Sequence, residues 1–159
     1  MMKQLKNMLN ESKSLNKIIF ILILLISICM GLAFNYNYKI IIVRGNSMHP
    51  FLSSGDIVII NKQLTIIEQD DIIVFNNENE TSIKRVIACP GDDIVIQDGR
   101  IFVNEIEIKP YTCDSTNKIY TLDTEQYFVI GDNYLESYDS RNYGPINSSQ
   151  IIGKAILDN

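Results

Sequence analysis

The sequence has little of what metal sites, disulfide scaffolds and nucleic-acid interfaces need. It contains one histidine, His49, and three cysteines, at positions 29, 89 and 113. The cysteine spacing fits neither a zinc motif nor a dense disulfide framework; Cys89 and Cys113 could pair outside the cell or stay as separate thiols. No basic patch indicates nucleic-acid binding. We therefore expect no cofactor, no metal ion and no nucleic-acid partner.

What the sequence does contain is a long apolar run near its start. The segment Ile18–Phe34 (IIFILILLISICMGLAF) has 17 residues and no charge, about the minimum for a membrane-spanning helix. Four lysines and one glutamate precede it, so the positive-inside rule places the N-terminus in the cytoplasm. We expect residues 1–17 to be a cytoplasmic tail, 18–34 a single transmembrane helix in the cell membrane, and 35–159 an extracytoplasmic domain.

Two alternatives compete with a retained anchor. Gly31 and Ala33 form a small-x-small pattern, so the run could be a signal peptide cleaved after Ala33, and self-cleavage there stays open. A helix buried in a soluble core is disfavoured because the run has no polar face. Its length and the aromatic residues after it favour a retained anchor.

Positions 35–159 read as one all-β domain. They carry 10 basic and 18 acidic residues, a net charge of −8. Short β-branched runs alternate with turn signals, which predicts a mainly β fold of eight or nine strands in antiparallel sheets. Asp98-Gly99, between IVIQ and RIFVNEIEI, predicts a two-residue hairpin turn.

Ser47 is the first candidate for chemistry. It lies in RGNSMHPFLSSGD, between Gly45 and Pro50, where a turn separates two apolar runs. It is either a nucleophile or a serine that serves the turn. His49, two residues away, is a poor base for it, because partners of a catalytic serine normally come from distant sequence.

The second candidate is the lysine of SIKRVIACPGDD. Alternation places Lys84 and Arg85 on opposite faces of a strand that is largely apolar on both faces. One of these cations must be poorly solvated, unless the strand is an edge strand protected by charge. Burial lowers a lysine pKa, whereas arginine stays charged. Lys84 is therefore the candidate base.

The third stretch is YFVIGDNYLESYDSRNYGPI. Its acidic residues do not follow the spacing of an EF-hand calcium loop. Asp139 and Arg141 are close enough in sequence to form an ion pair that braces the loop, and Ser137 could orient another side chain. The alternative is a well-capped surface turn.

Four segments in this order, GNSMHPFLSSGD, GDIVIINK, IKRVIACPGD and GDNYLESYDSRNYG, closely resemble the conserved boxes of bacterial type I signal peptidases of the Gram-positive branch. The resemblance covers residues 18–146 and implies a membrane-anchored serine endopeptidase. It implies that Ser47 is the nucleophile, Lys84 the general base, and the Ser47 backbone N–H one oxyanion donor. Gly45 lacks the hydroxyl that some members supply there, so the second donor is unknown.

The resemblance also implies the surroundings of the dyad. Ser137 would orient the lysine, Asp139 and Arg141 would support the site, and residues 93–124 would form a small non-catalytic β insertion. The substrates would be preproteins with signal peptides, cut at small-x-small sites, and the lipid bilayer would be a second partner. Candidate substrate contacts are Met48, Phe51, Leu52, Ile83 and Val86.

Two other functions remain open at this point. One is a self-cleaving repressor-type Ser/Lys peptidase, which would lack the anchor and the GDN…DSR segment. The other is a catalytically silent, membrane-anchored β domain that binds a partner. The sequence does not define the oligomeric state or the range of substrates.

Overall fold

A computed structural model of the chain describes residues 2–63, 66–77, 80–112 and 117–157. The chain divides into an N-terminal helical unit that ends at Asn37 and a second unit that begins at Tyr38. The first unit contains the uninterrupted apolar run, and the second contains the short apolar runs that predicted strands.

The first unit is helix α1, Met2–Asn37. Its segment Leu15–Asn37 has 23 residues and a mean hydropathy of 2.7, which makes it long and apolar enough to cross a membrane. It extends beyond the predicted run Ile18–Phe34 on both sides. The most apolar part of this segment is not buried in the protein, so the alternative of a helix inside a soluble core does not hold.

Two polar side chains in this helix are bonded to the helix itself. The Ser27 hydroxyl donates to the Ile23 carbonyl at 2.8 Å, and the Asn37 amide donates to the Ala33 carbonyl at 2.9 Å. Each bond pairs a polar group locally, which reduces the free-energy penalty of placing that group in an apolar environment.

The second unit is built mainly from short antiparallel strands. Its described residues form these elements in chain order: β1 (Tyr38–Ile42), β2 (Ile57–Asn61), β3 (Ile72–Asn77), β4 (Glu80–Ala88), β5 (Asp93–Gln97), β6 (Arg100–Val103), β7 (Ile106–Thr112), β8 (Lys118–Thr121), β9 (Gln126–Ile130), α2 (Ser140–Tyr143), β10 (Ile146–Asn147), a 3-10 turn (Ser148–Gln150) and β11 (Ile151–Ile156). The predicted fold class, one apolar helix followed by antiparallel β sheets, is confirmed.

Seven strands form the larger sheet, in the order β1-β2-β11-β3-β4-β9-β10. Strand β4 lies between β3 and β9 in this order: its residues 80–85 pair with β3, and Arg85–Ala88 pairs with β9. The alternative of a charge-protected edge strand therefore does not hold over Arg85–Ala88, whereas residues 80–84 pair with β3 alone among the described strands. Within it Lys84 is opposite Ile73 and Arg85 is opposite Ile72, which places the two cations on different faces.

The smaller sheet has the order β7-β6-β5-β8 and lies within the predicted insertion, residues 93–124. The Asp98-Gly99 turn joins β5 to β6 with φ angles of 52° and 75°, as predicted. A second turn at Asn104-Glu105, with φ angles of 48° and 68°, divides the run RIFVNEIEI into β6 and β7. This turn was not predicted, because neither residue is glycine.

Three groups of buried apolar side chains form the core. The first packs β2, β3 and β4 around the segment that follows β1, and its members include Val43, Met48, Leu52, Val74 and Ile83. The second joins β4 and β9 to the smaller sheet and is centred on Phe128. The third lies around Phe75, Val86 and Val129. The first cluster supports the loop that carries Ser47.

Gly153 marks a close approach between β11 and β2. A Cβ at this position would collide with the backbone carbonyl oxygen of Asn61 and press against Ile60. We expect Gly153→Ala to lower the free energy of unfolding by about 1–3 kcal/mol, since the collision is with backbone and cannot be relieved by a side-chain rotation. Denaturant unfolding of the full chain in detergent micelles, followed by near-UV circular dichroism, measures the change.

The matched control is Gly31→Ala in α1, where an added Cβ meets nothing within 4 Å. This control should leave the unfolding midpoint of the β unit unchanged. Equal midpoints for the two variants would contradict the packing argument at Gly153.

Candidate active site

Ser47 lies in a turn, and the residues before and after it are fixed by hydrogen bonds and core packing. Before it, buried Val43 exchanges backbone hydrogen bonds with residues 55 and 56, at 2.9 and 2.8 Å. Gly45 has a φ of +80°, a conformation that favours glycine. After Ser47, Met48 is buried in the first core cluster, and its carbonyl accepts from the Leu52 N–H at 2.8 Å. The half-buried serine is therefore fixed by backbone bonds and by core packing.

The side chain that meets Ser47 is Lys84. Its Nζ lies 2.9 Å from the Ser47 Oγ and also donates to the Ile83 carbonyl at 3.0 Å. Only 5% of Lys84 is exposed, and 37 residues separate it from Ser47. His49 is exposed and makes no side-chain hydrogen bond to a described residue. The structure thus brings together the predicted pair and leaves the nearby histidine outside it.

Burial lowers the pKa of Lys84 below its ordinary value of 10.5, and the negative charge of Asp139 opposes part of this shift. An unperturbed lysine is neutral in only about one molecule in 2,500 at pH 7. Desolvation penalises the charged ammonium and so raises the fraction of neutral amine. A neutral amine beside a hydroxyl can accept its proton, which is the chemistry of a general base.

Asp139 and Arg141 form the predicted ion pair, and it is buried. Arg141 Nε donates to Asp139 Oδ1 and Nη2 donates to Oδ2, both at 2.8 Å. Asp139 has no exposed surface, and it caps the N-terminus of α2. It also accepts the backbone N–H of Gly131, just after β9, at 3.0 Å. One carboxylate therefore connects the end of β9, helix α2 and a buried guanidinium.

Ser137 lies near the backbone carbonyl of Ser47, but in this structure it does not make the expected bond to Lys84. Its hydroxyl is buried and has no hydrogen-bond partner among the described residues. Its backbone N–H donates to the Asn133 carbonyl at 2.9 Å, which fixes the turn that carries it. Its role in orienting Lys84 remains a prediction.

Sequence reasoning missed two residues of the GDN segment that position Ser47. The backbone N–H of Asn133 donates to the Ser47 carbonyl at 2.9 Å. A Cβ on Gly131 would collide with that same carbonyl and with the Ser137 side chain. The available signal was a glycine directly after an apolar strand, which often marks a close backbone approach.

A second missed contact involves the cation next to the lysine. Arg85 donates from Nε and Nη2 to the two carboxylate oxygens of Asp132, at 2.8 and 2.7 Å. Its guanidinium also lies 4.8 Å from the ring centroid of Phe51, within the range of a cation–π interaction. Arg85 therefore ties β4 to the GDN turn and to the loop that follows Ser47.

An open groove of about 770 Å³ leads to the dyad. It runs between β1 with the residues that follow it and the first half of β4, and both Ser47 and Lys84 line it. Its apolar lining includes Ile41, Val43, Val74 and Ile83. A second pocket of about 550 Å³ also contains the dyad and is lined mainly by polar residues. The site can therefore receive an extended chain with an apolar contact on one side.

The five predicted substrate contacts differ in their positions. Ile83 lines the groove, whereas Met48 and Leu52 pack beneath it in the same core cluster. Phe51 is 52% exposed beside Arg85. Val86 has no exposed surface and belongs to the third core cluster, so it is removed from the candidate contacts.

The described residues offer no metal site and no reactive thiol near the dyad. They contain no group of three or more His, Cys, Asp or Glu side chains placed to hold a metal ion. Burial, with nearby carboxylates, raises the pKa of the Cys89 thiol to about 11, so it stays protonated at neutral pH. Cys113 lies outside the described residues, and its pairing with Cys89 stays a prediction.

Comparisons with known proteins give a consistent result. A family model described as "Signal peptidase, peptidase S26" matches residues 13–158. Signal peptidase I of Bacillus caldolyticus is 38% identical over 135 residues, which cover 71% of this chain and 74% of that protein. Signal peptidase I V of Bacillus subtilis is 32% identical over 133 residues, 70% and 79% of the two chains. A crystal structure of a signal peptidase I from Enterococcus faecalis V583 is 21% identical, covers 58% of this chain and 98% of its own, and has a TM-score of 0.47.

The buried ion pair between Asp139 and Arg141 leads to a testable prediction about stability. Asp139→Asn keeps the shape and the helix-capping oxygen but removes the negative charge that pairs with the buried Arg141 guanidinium. We expect the free energy of unfolding to fall by about 3–5 kcal/mol. Denaturant unfolding of the full chain in detergent micelles measures it.

The control removes a more exposed pair. Lys154 Nζ lies 2.7 Å from Asp71, and the lysine side chain is 32% exposed. Lys154→Met should change the free energy of unfolding by about 1 kcal/mol or less. If Asp139→Asn lowers the free energy of unfolding no more than this control does, burial does not determine how much the Asp139–Arg141 pair contributes to stability.

Proposed function

The chain belongs to the signal peptidase family, peptidase S26, and on that premise we propose that it removes signal peptides from exported preproteins with Ser47 as nucleophile and Lys84 as general base. The family makes it a serine endopeptidase. The observation that carries the proposed dyad is the 2.9 Å contact between Lys84 Nζ and Ser47 Oγ, two side chains from distant parts of the sequence.

The chemistry follows from a buried neutral amine. Lys84 Nζ accepts the Ser47 hydroxyl proton while Oγ attacks the carbonyl carbon of the scissile peptide bond. The resulting ammonium gives the proton to the leaving amine, and the peptide C–N bond breaks to leave an ester on Ser47. Water then enters, loses a proton to the same amine and attacks the ester carbon. The ammonium returns this proton to Ser47 Oγ as the ester C–O bond breaks, which releases the acid and restores serine and neutral amine. Lys84 thus serves as base and then as acid in each half of the reaction.

The tetrahedral intermediate needs hydrogen-bond donors for its oxyanion. The Ser47 backbone N–H has no acceptor among the described residues and is our first donor. Removal of one such donor typically costs about 10²–10³ in rate, so a second donor matters. Gly45 has no side chain to provide it, and we assign no second donor.

The residues around the dyad hold Lys84 in place rather than react. We propose that Asp139 and Arg141 stabilise the GDN turn and α2, since their ion pair joins these elements. Ser137 has a buried, unpaired hydroxyl beside the Ser47 loop and is available to bond Lys84 once its amine moves during the reaction.

The substrate is proposed to bind as an added strand. Among the strands that the structure describes, β1 is at the edge of the larger sheet and pairs with β2 alone, and residues 80–84 of β4 pair with β3 alone. Both strands therefore present backbone groups to the groove between them. An extended peptide there can bond to both edges and place alternate side chains on the apolar lining. Small residues at −1 and −3 fit such a shallow apolar surface.

Membrane anchoring is indicated by the apolar segment Leu15–Asn37 and by the family. We propose a single-pass arrangement with the N-terminus in the cytoplasm, because four lysines and only one glutamate precede the apolar run Ile18–Phe34. Anchoring places enzyme and precursor in one membrane plane, which raises their effective concentration.

The bilayer is also proposed to contact the β unit. Four isoleucines on paired positions of β1 and β2 are between 40% and 71% exposed: Ile40, Ile42, Ile57 and Ile59. Strand β1 begins directly after the apolar helix ends, so Ile40 and Ile42 follow the proposed membrane segment closely, and Ile59 and Ile57 are their paired residues on β2. An exposed apolar face of this kind is typical of a contact surface for lipid or protein.

Neither alternative function gains support from a specific observation. A repressor-type peptidase would lack the anchor, whereas the family match includes most of the apolar helix. A silent binding domain would not need a buried lysine beside a serine.

The dyad is tested by single substitutions. Ser47→Ala and Lys84→Met should each lower kcat/KM for a peptide with an Ala-x-Ala site by at least about a thousandfold, because nucleophile and base act as one unit. The assay uses the purified full chain in detergent micelles. His49→Ala is the matched control and should retain most of the activity; cleavage that survives either dyad substitution rules the assignment out.

The lowered pKa of Lys84 predicts the pH profile. The amine must be neutral to act, so kcat/KM should rise with pH through the pKa of Lys84 in the free enzyme. Because burial outweighs the opposing charge of Asp139, the midpoint of this rise should lie clearly below 10.5. Measured between pH 6 and pH 11, a midpoint at or above 10.5 would show that Lys84 is not desolvated.

A further inference from the structure

The polar pocket next to Ser47 has a composition that small-residue recognition does not explain. It has a volume of about 550 Å³ and contains both members of the dyad. Besides the dyad, its lining includes Glu80, Glu136, Tyr138 and Arg44. It therefore adjoins the reacting bond, and any bound substrate must pass it.

Strand geometry separates this pocket from the apolar lining of the groove. In β4 the side chains of Glu80, Ser82 and Lys84 alternate with those of Thr81 and Ile83. The first three line both the polar pocket and the groove, whereas Ile83 packs in the first core cluster and lines only the groove. One face of β4 therefore carries Ile83, and the other carries the side chains that reach the polar pocket.

A bound peptide has the same alternation. If its residues at −1 and −3 contact the apolar lining, its residue at −2 points to the opposite face. On β4 that face carries Glu80, Ser82 and Lys84, which line the polar pocket. The side chain between the two small residues thus meets the residues that line this pocket.

The pocket has the chemistry for a long basic side chain. Neither Glu80 nor Glu136 forms an ion pair with a described residue, and both are exposed. Tyr138 is 68% exposed, and its ring can lie along an aliphatic stem or interact with a cation. The positive charge of Arg44 offsets the negative charge of one of the two glutamates. When Lys84 is neutral, the lining therefore has two acidic side chains and one basic side chain.

We propose that Glu80, Glu136 and Tyr138 form a subsite that favours lysine or arginine at position −2 of the substrate. This inference rests on the proposed function, since it requires a peptide bound as a strand with small residues at −1 and −3. It assigns to these three residues a specificity role separate from the bond-breaking chemistry of the dyad.

The test compares peptides that are identical except at −2, which carries lysine, norleucine or glutamate between two alanines. The full chain in detergent micelles should cleave the lysine peptide with a kcat/KM roughly threefold to tenfold above that of the norleucine peptide, as expected for two solvent-exposed charge contacts. The glutamate peptide should be the poorest. The preference should fall as salt is added, because exposed charges are screened.

The variant Glu80→Gln/Glu136→Gln should bring the lysine-to-norleucine ratio close to one. Glu125→Gln, an exposed carboxylate outside both pockets, is the matched control and should keep the wild-type ratio. Near-UV circular dichroism verifies that each variant is folded.

Three results would overturn the inference while leaving the proposed function intact. They are equal cleavage of the three peptides, a lysine preference that survives the double substitution, and a preference for lysine at +1 but not at −2. Failure of the wild-type chain to cleave any of the peptides would instead overturn the proposed function, and the inference with it.

Discussion

The rest of the site depends on the 2.9 Å contact between the Ser47 hydroxyl and the amine of Lys84, a side chain that is only 5% exposed. Burial removes water from the lysine, and the loss of water lowers its pKa. The serine must then reach the lysine, and a loop packed through Met48 into the core holds it there. The rest of the site consists of elements that keep these two groups together without hydrating them.

The loop after β9 illustrates this arrangement. Through Asn133 it bonds to the carbonyl of Ser47, and through Asp139 it bonds to the start of α2 and to Arg141. The negative charge of Asp139 would by itself favour the charged form of Lys84. Arg141 neutralises much of that charge at close range. The ion pair therefore braces the loop and also limits the electrostatic effect of Asp139 on Lys84.

The two faces of the proposed substrate strand meet different surroundings. Ile41, Val43 and Ile83 lie in the apolar groove, whereas Glu80, Glu136 and Tyr138 line the polar pocket. Within β4 the period-2 alternation places Ile83 on one face and Glu80 and Lys84 on the other. The other side chains come from β1 and the segment after it, and from the loop after β9. One strand thus carries Lys84 and part of both linings.

Local patterns in the sequence were enough to predict the apolar helix, the β-rich unit, the Asp98-Gly99 turn, and Ser47 and Lys84 as candidates, because each depends on neighbouring residues or on short motifs. They did not reveal the Asn104-Glu105 turn, the Arg85–Asp132 pair or the bond from Asn133 to Ser47, since these require positive φ angles in residues other than glycine or contacts between distant segments. The sequence by itself determined which side chains could react. Only the tertiary structure decided that Lys84 is buried against Ser47, that Val86 is sealed in the core and that His49 is left in solvent, because burial and distance are set by the packing of strands that are far apart in the chain.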